Sequence, residues 1–189
     1  MKSRFVALAV LSFAMLGGAF GQSSSADSAA ARLQKIEDRQ AIEQLLMGDY
    51  PRALDGSDWG AYAALFAKDG TLIMGSTKLT GPAAVQQYFS ARPAPAPAAP
   101  TAPSPCPAPP GGHRTEHVVN NLTLQINGDM ATDQAYWQTI VTRDCKPVVA
   151  GAGHYEDVLK REDGHWKFSK REIVDDIPPR AAAPATSSR

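Results

Sequence analysis

Two dipeptides, Asn127-Gly128 and Asp163-Gly164, each stand between long runs of alternating residues, and they leave the second half of the chain few ways to fold. Glycine accepts the positive φ that a tight hairpin turn demands, so each dipeptide predicts a chain reversal between two antiparallel strands. The runs they separate lie at about 116–127, 130–143, 147–161 and 165–176. Within the second, Ala131, Ala135, Trp137, Thr139 and Val141 alternate with polar residues, as in strands buried on one face. A four-stranded antiparallel meander is the expected result.

The first half has a different period. Leu33, Ile36, Ile42, Leu45 and Leu46 recur at helical spacing from a start near Ala29, and the pattern continues through Tyr50, Ala53 and Leu54. Pro51 falls inside it. With no N–H to reach the carbonyl of Met47, it predicts a kink there. Gly56 suits the left-handed position that closes a helix. Ser57 or Asp58 can cap a short second helix carrying Trp59, Tyr62, Leu65 and Phe66. Asp69-Gly70 reads as a turn, Thr71 to Met74 as a short strand, and Gly81-Pro82 as the opening of a third helix with Val85, Tyr88 and Phe89 inward. Three helices before a meander is an α+β order, with the helices on one face of a long bent sheet.

The ends and one insertion read as separate segments. Lys2 and Arg4 precede an apolar run from Phe5 to Phe20, and Ala19-Phe20-Gly21 follows the cleavage pattern of a secretory signal peptide. The run is shorter than the roughly 20 residues of a membrane span. Residues 1–21 are therefore expected to be a signal peptide cut after Gly21, 22–28 a flexible leader, 29–177 the domain and 178–189 a disordered tail. Residues 91–112, mostly Pro, Ala and Gly, predict an extended surface loop, either a lid or a solvated insertion. The mature protein is expected in the periplasm or outside the cell, off the membrane. Formal net charge is zero with no basic cluster, which speaks against a nucleic-acid partner. Cys106 and Cys145 are a possible bridge in an exported protein, and neither has the spacing of a metal ligand.

A few polar residues could carry chemistry. Tyr50 lies on the apolar side of the first helix, and Asp55 ends that helix on nearly the same side. His117 opens the first long strand; histidine exchanges protons near neutrality, and an aspartate beside it would fix its tautomer. His154 sits after the small residues Gly151-Ala152-Gly153, which could leave room for a ligand. Strict alternation puts His117 on the face opposite Leu122, Leu124 and Ile126. It reaches a pocket beside them only if a bulge at Asn120-Asn121 resets the register. Asn121-Leu122-Thr123 matches a glycosylation sequon, to which a strand setting and a bacterial-type signal give no weight.

Ile36-Glu37-Asp38-Arg39-Gln40-Ala41-Ile42, Tyr50, Ala53-Leu54-Asp55 and Asp58-Trp59 resemble the opening of the SnoaL-like group of the nuclear transport factor 2-like superfamily. Leu65-Phe66-Ala67-Lys68-Asp69-Gly70, the Gly81 helix, Arg114-Thr115-Glu116-His117 and Asp163-Gly164-His165-Trp166-Lys167-Phe168 follow in the same order. The resemblance covers about residues 30–177. It implies a cone-shaped roll of strongly bent, mainly antiparallel sheet whose three helices enclose a pocket. The nearest functional analogues are scytalone dehydratase and bile-acid dehydratase. By that analogy His117 is a general base, Asp55 orients it, and Tyr50 donates a hydrogen bond or proton to substrate oxygen. Leu54, Gly75 and Tyr155 stand where scytalone dehydratase has two tyrosines and an asparagine, so its substrate is not implied.

These readings lead to an expectation of a cofactor-independent lyase or isomerase, without metal, acting on a small apolar or aromatic cyclic compound. Trp59, Tyr62, Phe66, Tyr88, Trp137, His154 and Tyr155 are the candidate substrate contacts. The alternative is a non-catalytic module of the same fold that binds a small molecule or dimerises. A subunit like the β subunits of ring-hydroxylating dioxygenases is a third reading, which a signal peptide argues against. Superfamily analogy implies a homodimer or homotrimer.

Overall fold

The computed structural model describes residues 20–92, 115–143 and 145–177, with side chains from Ser28 onward. The signal segment before Phe20, the Pro-rich stretch 93–112, Cys106, His113 and the tail from Pro178 lie outside the described residues. By contacts the chain divides at Ile36: residues 1–36 form one unit and 37–189 the other.

Helix α1 runs Phe20–Gln44. It therefore begins earlier than the expected start near Ala29 and takes in residues 22–28. No proline interrupts that stretch, and serine and alanine both tolerate a helix. Leu33 and Ile36, expected on the buried side, are 55% and 56% exposed. Helical spacing says which residues share a face, not how far along the face burial extends. The buried stripe begins at Asp38 and Ile42.

Pro51 is preceded by an irregular turn of helix. A π-helical turn, Leu45–Asp49, precedes α2 (Tyr50–Asp55), and the Tyr50 N–H reaches five residues back to the Leu45 carbonyl. The missing proline N–H is absorbed by widening one turn. The helix then ends one residue later than expected. Gly56 stays right-handed at φ −76°, and Ser57 takes the left-handed position at φ 54°. The Ser57 N–H bonds to the Leu54 carbonyl and the Asp58 N–H to the Ala53 carbonyl, closing a Schellman turn. Asp58 caps α3 (Trp59–Ala64) by accepting from the Ala61 N–H at 2.9 Å.

Strand β1 spans Phe66–Met74. Phe66 is thus strand rather than helix, and Asp69-Gly70 is an irregularity inside the strand rather than a turn between elements. The pairing with β6 shifts register between Phe66 and Thr71. A Cβ on Gly70 would lie 2.3 Å from the Phe168 carbonyl oxygen, so only glycine lets the two strands approach there. Gly75 turns the chain into the short β2 (Thr77–Thr80), which the sequence pattern did not reveal, and α4 (Pro82–Ser90) follows with Val85 and Phe89 buried.

The four long strands fall where the alternation predicts: β3 Thr115–Asn127, β4 Met130–Arg143, β5 Lys146–Glu162 and β6 His165–Asp175. Asp163 and Gly164, at φ 53° and 80°, form a turn with both central residues left-handed, and Gly128 opens the other hairpin at φ 56°. The sheet order is β2-β1-β6-β5-β4-β3, antiparallel except between β1 and β6. Within residues 37–189 this gives an α+β roll: a mixed, mostly antiparallel sheet curls around a core of Ile42, Leu46, Tyr62, Phe66, Leu72, Leu159 and Phe168. Asp38 ties the helix to the β5–β6 hairpin by accepting from the Arg161 guanidinium and from Trp166 Nε1. Cys145 is disulfide-bonded.

Candidate functional site

Asn121 decides where His117 points. It takes φ 51°, and the β3–β4 register shifts between Asn120 and Thr123. The bulge adds one residue, so both Leu124 and His117 face inward. Leu124 pairs with Asp133 and His117 with Thr139 across the same face of β4. Asp55, in the last turn of α2, meets this strand. His117 Nδ1 donates to Asp55 Oδ1 at 2.6 Å, and the His117 backbone N–H lies 3.2 Å from each carboxylate oxygen. Both side chains are 19% exposed. A carboxylate only accepts, so Nδ1 holds its proton and Nε2 is left to exchange one with a ligand.

His117 lines a cavity of about 200 Å³. Tyr50, Tyr62, Trp137 and Tyr155 line it too, with Leu54, Met74, Phe89, Arg92, Thr139 and Ile173 completing the wall. The Tyr50 and Tyr155 hydroxyls are 3.2 Å apart and buried. Burial pushes the Tyr155 and Tyr62 hydroxyls well above the ordinary tyrosine range, so both stay protonated as donors. Beneath the pair lies a charge with no exposure at all. The Arg171 guanidinium sits 3.7 Å from the ring centroid of Tyr50 and 3.7 Å from that of Tyr155. A cation this close to two π faces favours electron-rich rings and stiffens the pair.

Arg171 belongs to a polar row across the sheet. Asp133 on β4 pairs with Asp157 on β5, and Asp157 with Arg171 on β6. Arg171 Nη1 is 3.6 Å from Asp157 Oδ2, and both side chains are fully buried. Burial, against the pull of Arg171, pushes Asp133 up to about 6 and Asp157 well above the carboxylate range. Two adjacent buried carboxyls beside one guanidinium are best satisfied by sharing a proton.

The expected contacts divide. Tyr50, Asp55, His117, Tyr62, Trp137 and Tyr155 come together. Trp59 stands behind the wall, stacked on Phe89 at 5.1 Å. Phe66 is core, and Tyr88 lies beside Arg92. His154 is not brought to this cavity. Its neighbour Tyr155 faces inward, so His154 faces out, where its Nδ1 lies 2.8 Å from Asp176 Oδ1. The room left by the glycines before it is filled by Trp137. A Cβ on Gly151 would sit 3.3 Å from the indole, and one on Gly153 2.9 Å. Trp137 also borders a second hollow of about 370 Å³, lined by Asn120, Tyr136, Ala152 and Ile177 among others.

Sequence reasoning passed over Asp133, Asp157, Arg171 and Arg92. The acids occupy inward positions of plain alternation, Asp133 between Ala131 and Ala135 and Asp157 between Tyr155 and Leu159, and that signal was available. Arg171 had none, because β6 slips against β5 between Phe168 and Lys170. Among the described residues no three His, Cys, Asp or Glu side chains are grouped to hold a metal, and no helix is long and apolar enough to cross a membrane.

Solved structures share this fold. A nuclear transport factor 2-like protein with a cystatin-like fold from Novosphingobium aromaticivorans superposes with a TM-score of 0.63 at 21% identity, covering 82% of this chain and 92% of that one. A protein from the same organism with a provisional scytalone dehydratase designation gives 0.56 at 22%, over 82% and 97%. Rv3472 of Mycobacterium tuberculosis, of unknown function, gives 0.60 at 22%, over 77% and 75%. No curated protein matches the chain in sequence. The family model for the SnoaL-like domain matches residues 34–172, and with the bulged strand, the curled sheet and the cavity between them the chain belongs to that SnoaL-like family.

Proposed function

We propose that the protein is a cofactor-independent lyase or isomerase of the dehydratase kind, acting on a small cyclic compound. The observation that carries this reading is the 2.6 Å contact between His117 Nδ1 and Asp55 at the wall of a largely apolar cavity. Asp55 orients the ring and fixes its tautomer with the proton on Nδ1, so Nε2 is equipped as a general base. The Tyr50–Tyr155 pair supplies hydroxyls for a substrate oxygen. In a dehydration, His117 takes a proton from carbon and the freed electron pair forms the new double bond. The hydroxyl departs with a proton from Tyr50 as water, and the proton on His117 passes through solvent to the Tyr50 oxygen, restoring both groups. In an isomerisation the same base returns the proton to another carbon. The likeness to a structure with a dehydratase designation supports the reading. A cavity of about 200 Å³ lies below the roughly 300–1,000 Å³ of pockets for drug-sized ligands, which favours a single-ring substrate.

The test is a panel of single-ring hydroxy and keto compounds followed by product analysis, with His117→Ala and Asp55→Asn beside the wild type. Loss of general-base catalysis should slow turnover by about 10²- to 10⁴-fold in His117→Ala. Turnover unchanged in both variants would remove the dyad from the mechanism. Binding without turnover of any compound would favour a ligand-binding module. The apolar segment from Phe5 to Phe20 makes export part of the proposal, and sequencing the N-terminus of the mature protein tests it.

A further inference from the structure

The wall of the cavity carries charge of one sign. Arg92 lines it, and among the described residues no aspartate or glutamate does, since Asp55 stands behind His117. Arg92 follows the end of α4, where its side chain is held in place. Nη2 donates to the Tyr88 hydroxyl at 3.2 Å, and the guanidinium carbon lies 4.9 Å from the Tyr88 ring centroid and 5.4 Å from that of Phe89. Phe89 is itself part of the wall, so the stacking keeps the cation against the cavity. Arg161 and Arg171 are each matched by an aspartate. Arg92 forms no ion pair with a carboxylate among the described residues. The other polar groups nearby add donors. The buried Trp137 Nε1 has no hydrogen-bond partner among the described residues, and the Tyr62 and Tyr155 hydroxyls stay protonated.

We propose that Arg92 reads a carboxylate on the substrate, so that the ligand of this cavity is a small aromatic or cyclic carboxylic acid rather than a neutral ring. This deepens the proposed function and rests on the same cavity. The carboxylate is a handle, gripped at the mouth by a planar fork suited to two parallel hydrogen bonds, and the reacting carbon lies toward His117.

Benzoate and its neutral isostere benzamide are suitable probes, titrated by calorimetry and by the fluorescence of the three tryptophans, of which Trp137 is in the wall. Wild type should bind benzoate about tenfold more tightly than benzamide, as one charge-assisted contact implies. Arg92 is exposed, so Arg92→Gln leaves the core intact. It should abolish the preference, bringing benzoate to the level of benzamide, and Arg92→Lys should keep part of it. Equal binding of the two probes to wild type, no binding of either up to about 10 mM, or a preference that survives Arg92→Gln would each overturn the proposal. A preference lost in His117→Ala but kept in Arg92→Gln would overturn it too, by making the imidazole the cation. If the preference follows Arg92 and no compound is ever turned over, the carboxylate site stands and the catalytic reading falls.

Discussion

Replacing Asp133 by asparagine should make the protein more stable at neutral pH, although it removes a buried charge from a row that contains an arginine. Asp133 is 7% exposed and shares the inner face of the sheet with Asp157 and Arg171. Burial pushes it from the ordinary 3.8 to about 6. The folded state therefore holds this proton more tightly than the unfolded chain does. The benefit is complete below about pH 4 and is lost as pH rises through about 6. At about 1.4 kcal/mol per tenfold, ionising Asp133 costs the fold about 3 kcal/mol at pH 8. Asparagine keeps the shape, carries no charge and can donate to Asp157, which can then ionise against Arg171. Urea denaturation from about pH 4.5 to 8 should show Asp133→Asn gaining up to about 3 kcal/mol at the upper end and little at the lower. In a domain of this length that is about 6–12 °C in Tm. A difference between the two proteins that is flat across this range, or a variant less stable at pH 8, would refute the claim that burial penalises the charge on Asp133.

Two further substitutions test the elements that build the site. Asn121→Val places a β-branched residue at φ 51° and should cost about 1–3 kcal/mol of stability by chemical denaturation, whereas Asn121→Gly should not. Gly153→Ala puts a methyl group 1.9 Å from the Val174 carbonyl oxygen and 2.9 Å from the Trp137 ring, so one of them must move. A loss of about 1–3 kcal/mol, with a changed near-ultraviolet tryptophan signal, is the expected outcome, and an unperturbed signal would contradict the packing.

How much of this was legible depends on whether chain geometry stays regular. The hairpins at Gly128 and Gly164, the three-helix opening and the meander follow from turn chemistry and periodicity, and they stand as expected. The face of His117 could not be read from alternation, because one residue at Asn121 reverses it; the sequence offered the bulge only as a condition. The same irregularity hides Arg171, whose inward position depends on a slip after Phe168. Asp133 and Asp157 were open to reading, because no bulge separates them from their inward neighbours on β4 and β5. Helix ends resolve less well. Gly56 had the right chemistry for a left-handed cap, yet one more residue of helix put Ser57 there instead. Nothing in local sequence told Leu33 and Ile36 apart from the buried part of the same stripe.

Trp137 borders two chambers, the cavity beside His117 and the hollow on the far side of the strand edge, and it lies flat only because Gly151 and Gly153 carry no side chains. One indole thus fills the strand side of the inner cavity, and a single residue sets much of the room beside His117. A smaller side chain at that position would deepen the inner cavity without altering the dyad. Enlarging the range of accepted molecules would then be a matter of one codon.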